Sequence, residues 1–207
     1  MQGATICPGC GVGLPSAPVA IDPQGNASAQ CTAVFAEVAG FEFQHPVMLR
    51  YHQLSVDAYG AQHGGGPGSP IRLAYSLAGL WLAVEHGFAG DEVRAVHQRM
   101  GKPTAEWPVF EPPSSWTGTT VLDVAEQGVR RHSDTGHAAA TRRWAEDVWC
   151  DWLRQRPGTD DAVEGMLRRI FVCGGRTPLH GTLGSAGAVH RLLGLLTEDD
   201  ASSDRGA

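Results

Sequence analysis

Cys7 and Cys10 stand three positions apart around Pro8-Gly9, with Gly11 following. Two cysteines at this spacing can grip one metal ion through a tight turn, and the flanking glycines let backbone amides approach the sulfurs. A closed tetrahedral site needs two more ligands. Cys31, which opens a helical pattern directly after the leader, is the natural third. His52, early in the next helical pattern, is expected as the fourth, because neutral imidazole suits zinc. The set Cys7, Cys10, Cys31 and His52 thus predicts one structural Zn2+ ion. Thiol-disulfide exchange is the rival chemistry. It favours a Cys-x-x-Cys pair at a helix start behind a strand, whereas this pair sits in a proline- and glycine-rich leader.

A second constellation occupies residues 51–63, Tyr-His-Gln-Leu-Ser-Val-Asp-Ala-Tyr-Gly-Ala-Gln-His. His52, Tyr59 and His63 are 7 and 4 residues apart, so on a helix turning about 100° per residue they share a face. The outer two are nevertheless separated by about 16 Å, at about 1.5 Å per residue, and cannot hold one ion from an unbroken helix. If His52 serves the zinc, His63 serves something else. One use is a polar pocket lined by Asp57, Tyr59, Gln62 and His63. His137 would join it, lying seven residues before Trp144 on the apolar face of a later helix. His63 with His137 would suffice for an acid–base pair or the start of a second metal site. The competing reading makes the same groups buried hydrogen-bonding partners that fix the packing. Phosphate-loop, dinucleotide-binding, His-Glu-x-x-His and Gly-x-Ser-x-Gly patterns are absent.

The elements that must position these groups read as helices. Residues 1–30 carry no periodicity and are expected as a loop that a metal would order. Helical patterns cover residues 31–43, 46–63, 70–86, 91–100, 121–127, 133–154 and 159–171. Trp144, Val148 and Trp152 mark the buried stripe of the longest. Between them, residues 102–118 are rich in proline and tryptophan, and are expected to lie extended over the core. Three aromatic rings are costly to leave in water. The last stretch holds one weak helix and an acidic tail expected to fray.

With 207 residues and five cysteines, the chain can bury a core without disulfides. Its net charge of −6 argues against a nucleic-acid or anionic-membrane partner. No apolar run is long enough for a membrane helix and no signal-peptide pattern opens the chain, so the cytoplasm is the expected compartment.

Taken in order, these motifs resemble a group of bacterial proteins known only as a domain of unknown function. The resemblance runs through Cys7-Pro8-Gly9-Cys10-Gly11, Cys31, the block from His52 to His63, and Glu111-Pro112-Pro113. It continues with Thr120-Val121-Leu122-Asp123-Val124, then His137 ahead of Arg143 to Trp149. It spans roughly residues 7 to 153. It implies that His52, Asp57, Gln62, His63 and His137 belong to a shared pattern, and it transfers no reaction. The chain departs at Arg72-Leu73, where the resemblance leads one to expect a histidine, and the likeness fades after Trp152.

The expectation is therefore an all-α bundle of about five to seven helices with an N-terminal zinc-binding loop. Residues 1–155 would form the zinc-stabilised domain and residues 156–207 an extension of one or two helices. The functional expectation leans to a small metal-dependent or acid–base enzyme acting on a small-molecule substrate around His63 and His137. The alternative is a non-catalytic zinc-bearing binding module.

Overall fold

The computed structural model describes residues 3–18, 25–64, 70–101, 107–173 and 183–203. The run Gly64-Gly65-Gly66-Pro67-Gly68, which in the sequence reads as the end of the second helical pattern, lies outside these residues from Gly65 on, as does Ser69, which reads as the cap of the third.

The fold is all-α apart from one short hairpin. In it β1 (Ala4–Ile6) pairs antiparallel with β2 (Gly13–Pro15), Thr5 opposite Leu14. Eight helices follow among the described residues: α1 (Ala29–Gln44), α2 (His52–Gln62), α3 (Pro70–Leu80), α4 (Gly90–Met100), α5 (Val121–Val124), α6 (Asp134–Gln155), α7 (Thr159–Arg168) and α8 (Leu183–Ser203). The count exceeds the expected range partly because α5 is a single turn. The hairpin replaces the loop expected at the N-terminus, since three-residue strands are too short to show an alternation.

Local chemistry explains the boundaries. Ser28 and Ser133 cap α1 and α6, each accepting a backbone N–H three residues on. At α5 the Asp123 carboxylate accepts from both the backbone N–H and the hydroxyl of Thr120, each at 2.8 Å. Pro46 does not open α2. It sits in a turn, and a 3-10 stretch from Leu49 to Tyr51 leads into the helix at His52.

Helix α2 is the central element and packs on α1, α3, α4 and α6. A helix enclosed this way cannot have one apolar stripe, and its small residues permit close approach. Ala58 and Ala61 are fully buried. A methyl group at Gly60 would run into Ser76 of α3, and one at Gly79 of α3 would run into Asp57. Trp144 and Trp152 of α6 fill the core, and their indole N–H groups donate to Gln62 Oε1 (3.0 Å) and the Ala61 carbonyl (3.3 Å) of α2. Val163 and Leu167 of α7 and Leu192 and Leu196 of α8 complete the same core.

Residues 107–118, the described part of the extended strap expected over 102–118, carry no helix or strand and pack Trp107, Phe110 and Trp116 against the core. Thr117 and Thr119 each bond through backbone N–H and hydroxyl to Asp151 and Asp147 of α6. The Trp116 indole N–H reaches the Gly9 carbonyl at 2.6 Å, tying the strap to the hairpin turn.

Candidate metal centre

Cys7, Cys10, Cys31 and His63 converge, with one ligand atom from each lying within 4.8 Å of all the others. All four residues are buried. The hairpin supplies two of them. Cys7 leaves β1, its N–H donates to the Val12 carbonyl, and its own carbonyl accepts from Gly11 N–H, both at 2.9 Å. Gly11 holds φ 74°, a left-handed conformation that favours glycine. Gly9 has no room for a side chain, because a methyl group would meet the Asn26 carbonyl and the His63 ring.

Cys31 lies in the first turn of α1, where the helix dipole favours a thiolate, and its N–H donates to the capping hydroxyl of Ser28 at 3.1 Å. Ser28 N–H in turn points at the Cys7 sulfur at 3.4 Å. His63 caps the other end, at the C-terminus of α2. Its Nδ1 lies 2.8 Å from the Tyr59 carbonyl, which can only accept, so Nδ1 carries the proton. The free lone pair on Nε2 then faces Cys31 Sγ at 3.4 Å. Metal-bound histidines are held in this way, with the second ring N–H donated to an oxygen. Tyr59 stacks on the His63 ring at 4.1 Å and fixes its plane.

The distances suit a tetrahedron. Metal–sulfur bonds of about 2.3 Å and metal–nitrogen bonds of about 2.0 Å imply sulfur–sulfur edges of about 3.8 Å and sulfur–nitrogen edges of about 3.5 Å. Cys10 Sγ and Cys31 Sγ are 3.8 Å apart, and Cys31 Sγ to His63 Nε2 is 3.4 Å. This buried Cys3His group can therefore hold a metal ion. Without a cation the thiols compete for protons. Hydrogen bonds from Cys10 and Cys31 push Cys7 far below its ordinary range. Cys10, although lowered by its bond with Cys31, is pushed up to about 12 by Cys7 and burial. Cys31 is driven higher still by Cys10, Cys7 and burial. A divalent cation would let all three ionise.

His52, expected at the fourth corner, is elsewhere. Its Nδ1 bonds Glu42 Oε2 at 2.8 Å. The reason is the antiparallel pairing of α1 and α2. The start of α1, bearing Cys31, meets the end of α2, bearing His63. The end of α1, bearing Glu42, meets the start of α2, bearing His52. The separation along α2 that forbids one site for both histidines holds, and packing decides which of them joins the cysteines.

Glu42 carries the second network, and the sequence reading missed it. This fully buried carboxylate accepts from His52, from Ser55 Oγ at 2.5 Å and from His137 Nε2 at 3.0 Å. Burial pushes its pKa up, but the bonds from His137, His52 and Ser55 outweigh this and hold it below the ordinary value. A signal existed: position 42 falls on the stripe of Cys31, Val34, Val38 and Phe41, where a charge at a core position demands a partner.

The residues expected as one pocket are dispersed. His63 joins the cysteines and His137 joins Glu42. Tyr59 OH meets Thr32 Oγ1 at 3.3 Å, and Gln62 accepts from Trp144. Asp57 alone of the five lines a described cavity. It accepts from the Gln53 amide at 3.1 Å through both oxygens. Burial raises its pKa well above the ordinary value, the Gln53 bond only partly opposing this.

Residues 5–153, well over half of the chain, match the sequence model of a family described as a family of unknown function, DUF5946. No curated protein and no solved structure matches the chain.

Proposed function

This chain belongs to the DUF5946 family, and from that premise we propose that it is a zinc-stabilised helical binding module whose Cys7, Cys10, Cys31 and His63 hold one structural ion. The observation that carries the reading is that four protein donors converge and all are buried, enough to fill a tetrahedral shell. A catalytic zinc keeps a position for water or substrate, whereas a structural one is closed. Three thiolates and one imidazole in tetrahedral array suit zinc by softness and geometry. Free thiolates in such a centre suit a reducing compartment such as the cytoplasm.

The ion would do mechanical work. It would join the hairpin, the start of α1 and the end of α2. An acid–base enzyme built on His63 and His137 finds less support, because these rings serve different networks and line none of the described cavities. Among the described residues, no second group of three such ligands converges.

Metal analysis of the purified chain tests the proposal. One zinc per chain is expected, and Cys31→Ser should lose it. A chain free of metal, or a Cys31→Ser variant that keeps its full complement, would overturn the reading.

A further inference from the structure

A second feature, independent of the metal, lies where α2, α6 and the turn between α3 and α4 meet. A cavity of about 410 Å³ opens there, within the range of small-molecule sites. Its walls include the apolar Leu54, Val84 and Phe88 and the cationic Arg50 and Arg142. Both guanidinium groups stand over the ring of the buried Tyr51, at 5.0 and 5.1 Å from its centre. Arg142 also donates to Tyr51 OH at 2.8 Å, which fixes its direction.

Neither arginine makes an ion pair among the described residues. Glu146, one helical turn beyond Arg142, shares the cavity wall without pairing with either. Arg130, Arg154, Arg168 and Arg191 do find carboxylates. In a chain of net charge −6, two like charges kept together without a counter-ion call for an anion. Of the two acids in the wall, Asp57 is buried, and burial raises its pKa well above the ordinary value, which weakens its repulsion of an anion.

We propose that this cavity binds a small molecule that joins an apolar body to an anionic oxygen group, a carboxylate or a phosphate, held by Arg50 and Arg142. The apolar body lies on Leu54, Val84 and Phe88. The anion replaces water around two guanidinium groups whose fork geometry fits such oxygens.

The test is calorimetric titration of the metal-loaded full chain with phenylacetate, phenyl phosphate and the neutral phenylacetamide. At least one anion should bind saturably at millimolar concentration or below, with the amide about 10-fold weaker or more. The ratio of the two anions tells which oxygen group the site prefers. Arg50→Gln and Arg142→Gln should each weaken the anion by about 10- to 100-fold, the range of a charge-assisted hydrogen bond. Both side chains are exposed, so the variants should keep the parent circular dichroism and zinc content. Equal binding of amide and anions, unchanged binding in the double variant, or no binding by any of the three would overturn the proposal.

Discussion

Replacing His63 with alanine removes one corner of the centre, and the structure allows its cost to be worked out. The leader, residues 3–18, buries little apolar surface of its own. Leu14 contributes about 2 kcal/mol by burial, and the Trp116 bond to Gly9 adds about 1 kcal/mol. Ordering the backbone costs about 1–2 kcal/mol per residue. The leader therefore needs a further tie, and a structural zinc site, at about 10–16 kcal/mol, is of the size to supply it. His63→Ala also loses the stack on Tyr59, worth about 0.5–1.5 kcal/mol. Zinc affinity should fall by more than the 10- to 100-fold that follows loss of a merely supporting residue. Chelator competition would measure that fall, and deuterium exchange should show the leader unprotected while the amides of α6 stay protected. His52→Ala, at the far end of α2, should leave zinc affinity unchanged. The reasoning fails if His63→Ala keeps tight zinc and a protected leader, or if His52→Ala is the variant that loses the ion.

Other variants probe the neighbouring chemistry. Glu42→Gln leaves His52 and His137 facing a weaker acceptor and should cost about 1–3 kcal/mol in urea unfolding. Because the folded-state pKa of Glu42 is depressed, its stabilisation is present above the unfolded value and is lost as pH falls through the folded one. The variant should therefore lose stability less steeply in acid. Asp57 has the opposite sign. Its raised folded-state pKa gives stability that is complete below the unfolded value and declines as pH rises through the folded one. Asp57→Asn should thus flatten the pH profile and gain about 1–3 kcal/mol on the alkaline side. Gly9→Ala forces a methyl group against the Asn26 carbonyl and the His63 ring. It should lower the melting temperature and weaken zinc retention, with a cost of about 1–3 kcal/mol. A Gly9→Ala chain with parental melting and zinc retention would show that the turn can relax.

Much of the fold was legible because long helices advertise themselves. The stripe of Trp144, Val148 and Trp152 marks its helix unaided. The hairpin did not, since Ala4–Ile6 and Gly13–Pro15 are too short for any period to register. Three of the four converging ligands were readable from Cys-x-x-Cys spacing and the helix start at Cys31. The fourth was not, because the choice between His52 and His63 depends on α1 and α2 running antiparallel, a tertiary fact. Glu42 was hidden for a related reason: its partners lie 10, 13 and 95 residues away. The cavity escaped notice because Arg50 and Arg142 each look like ordinary surface cations until Tyr51 brings them together.

X-ray absorption at the zinc edge of the purified chain would count the ligands around the ion. The account predicts a four-coordinate ion with three sulfur neighbours at about 2.3 Å and one nitrogen at about 2.0 Å. His63→Ala should convert the nitrogen shell to an oxygen or leave it empty. A first shell dominated by oxygen, fewer than three sulfur neighbours, or a nitrogen shell that survives His63→Ala would contradict it.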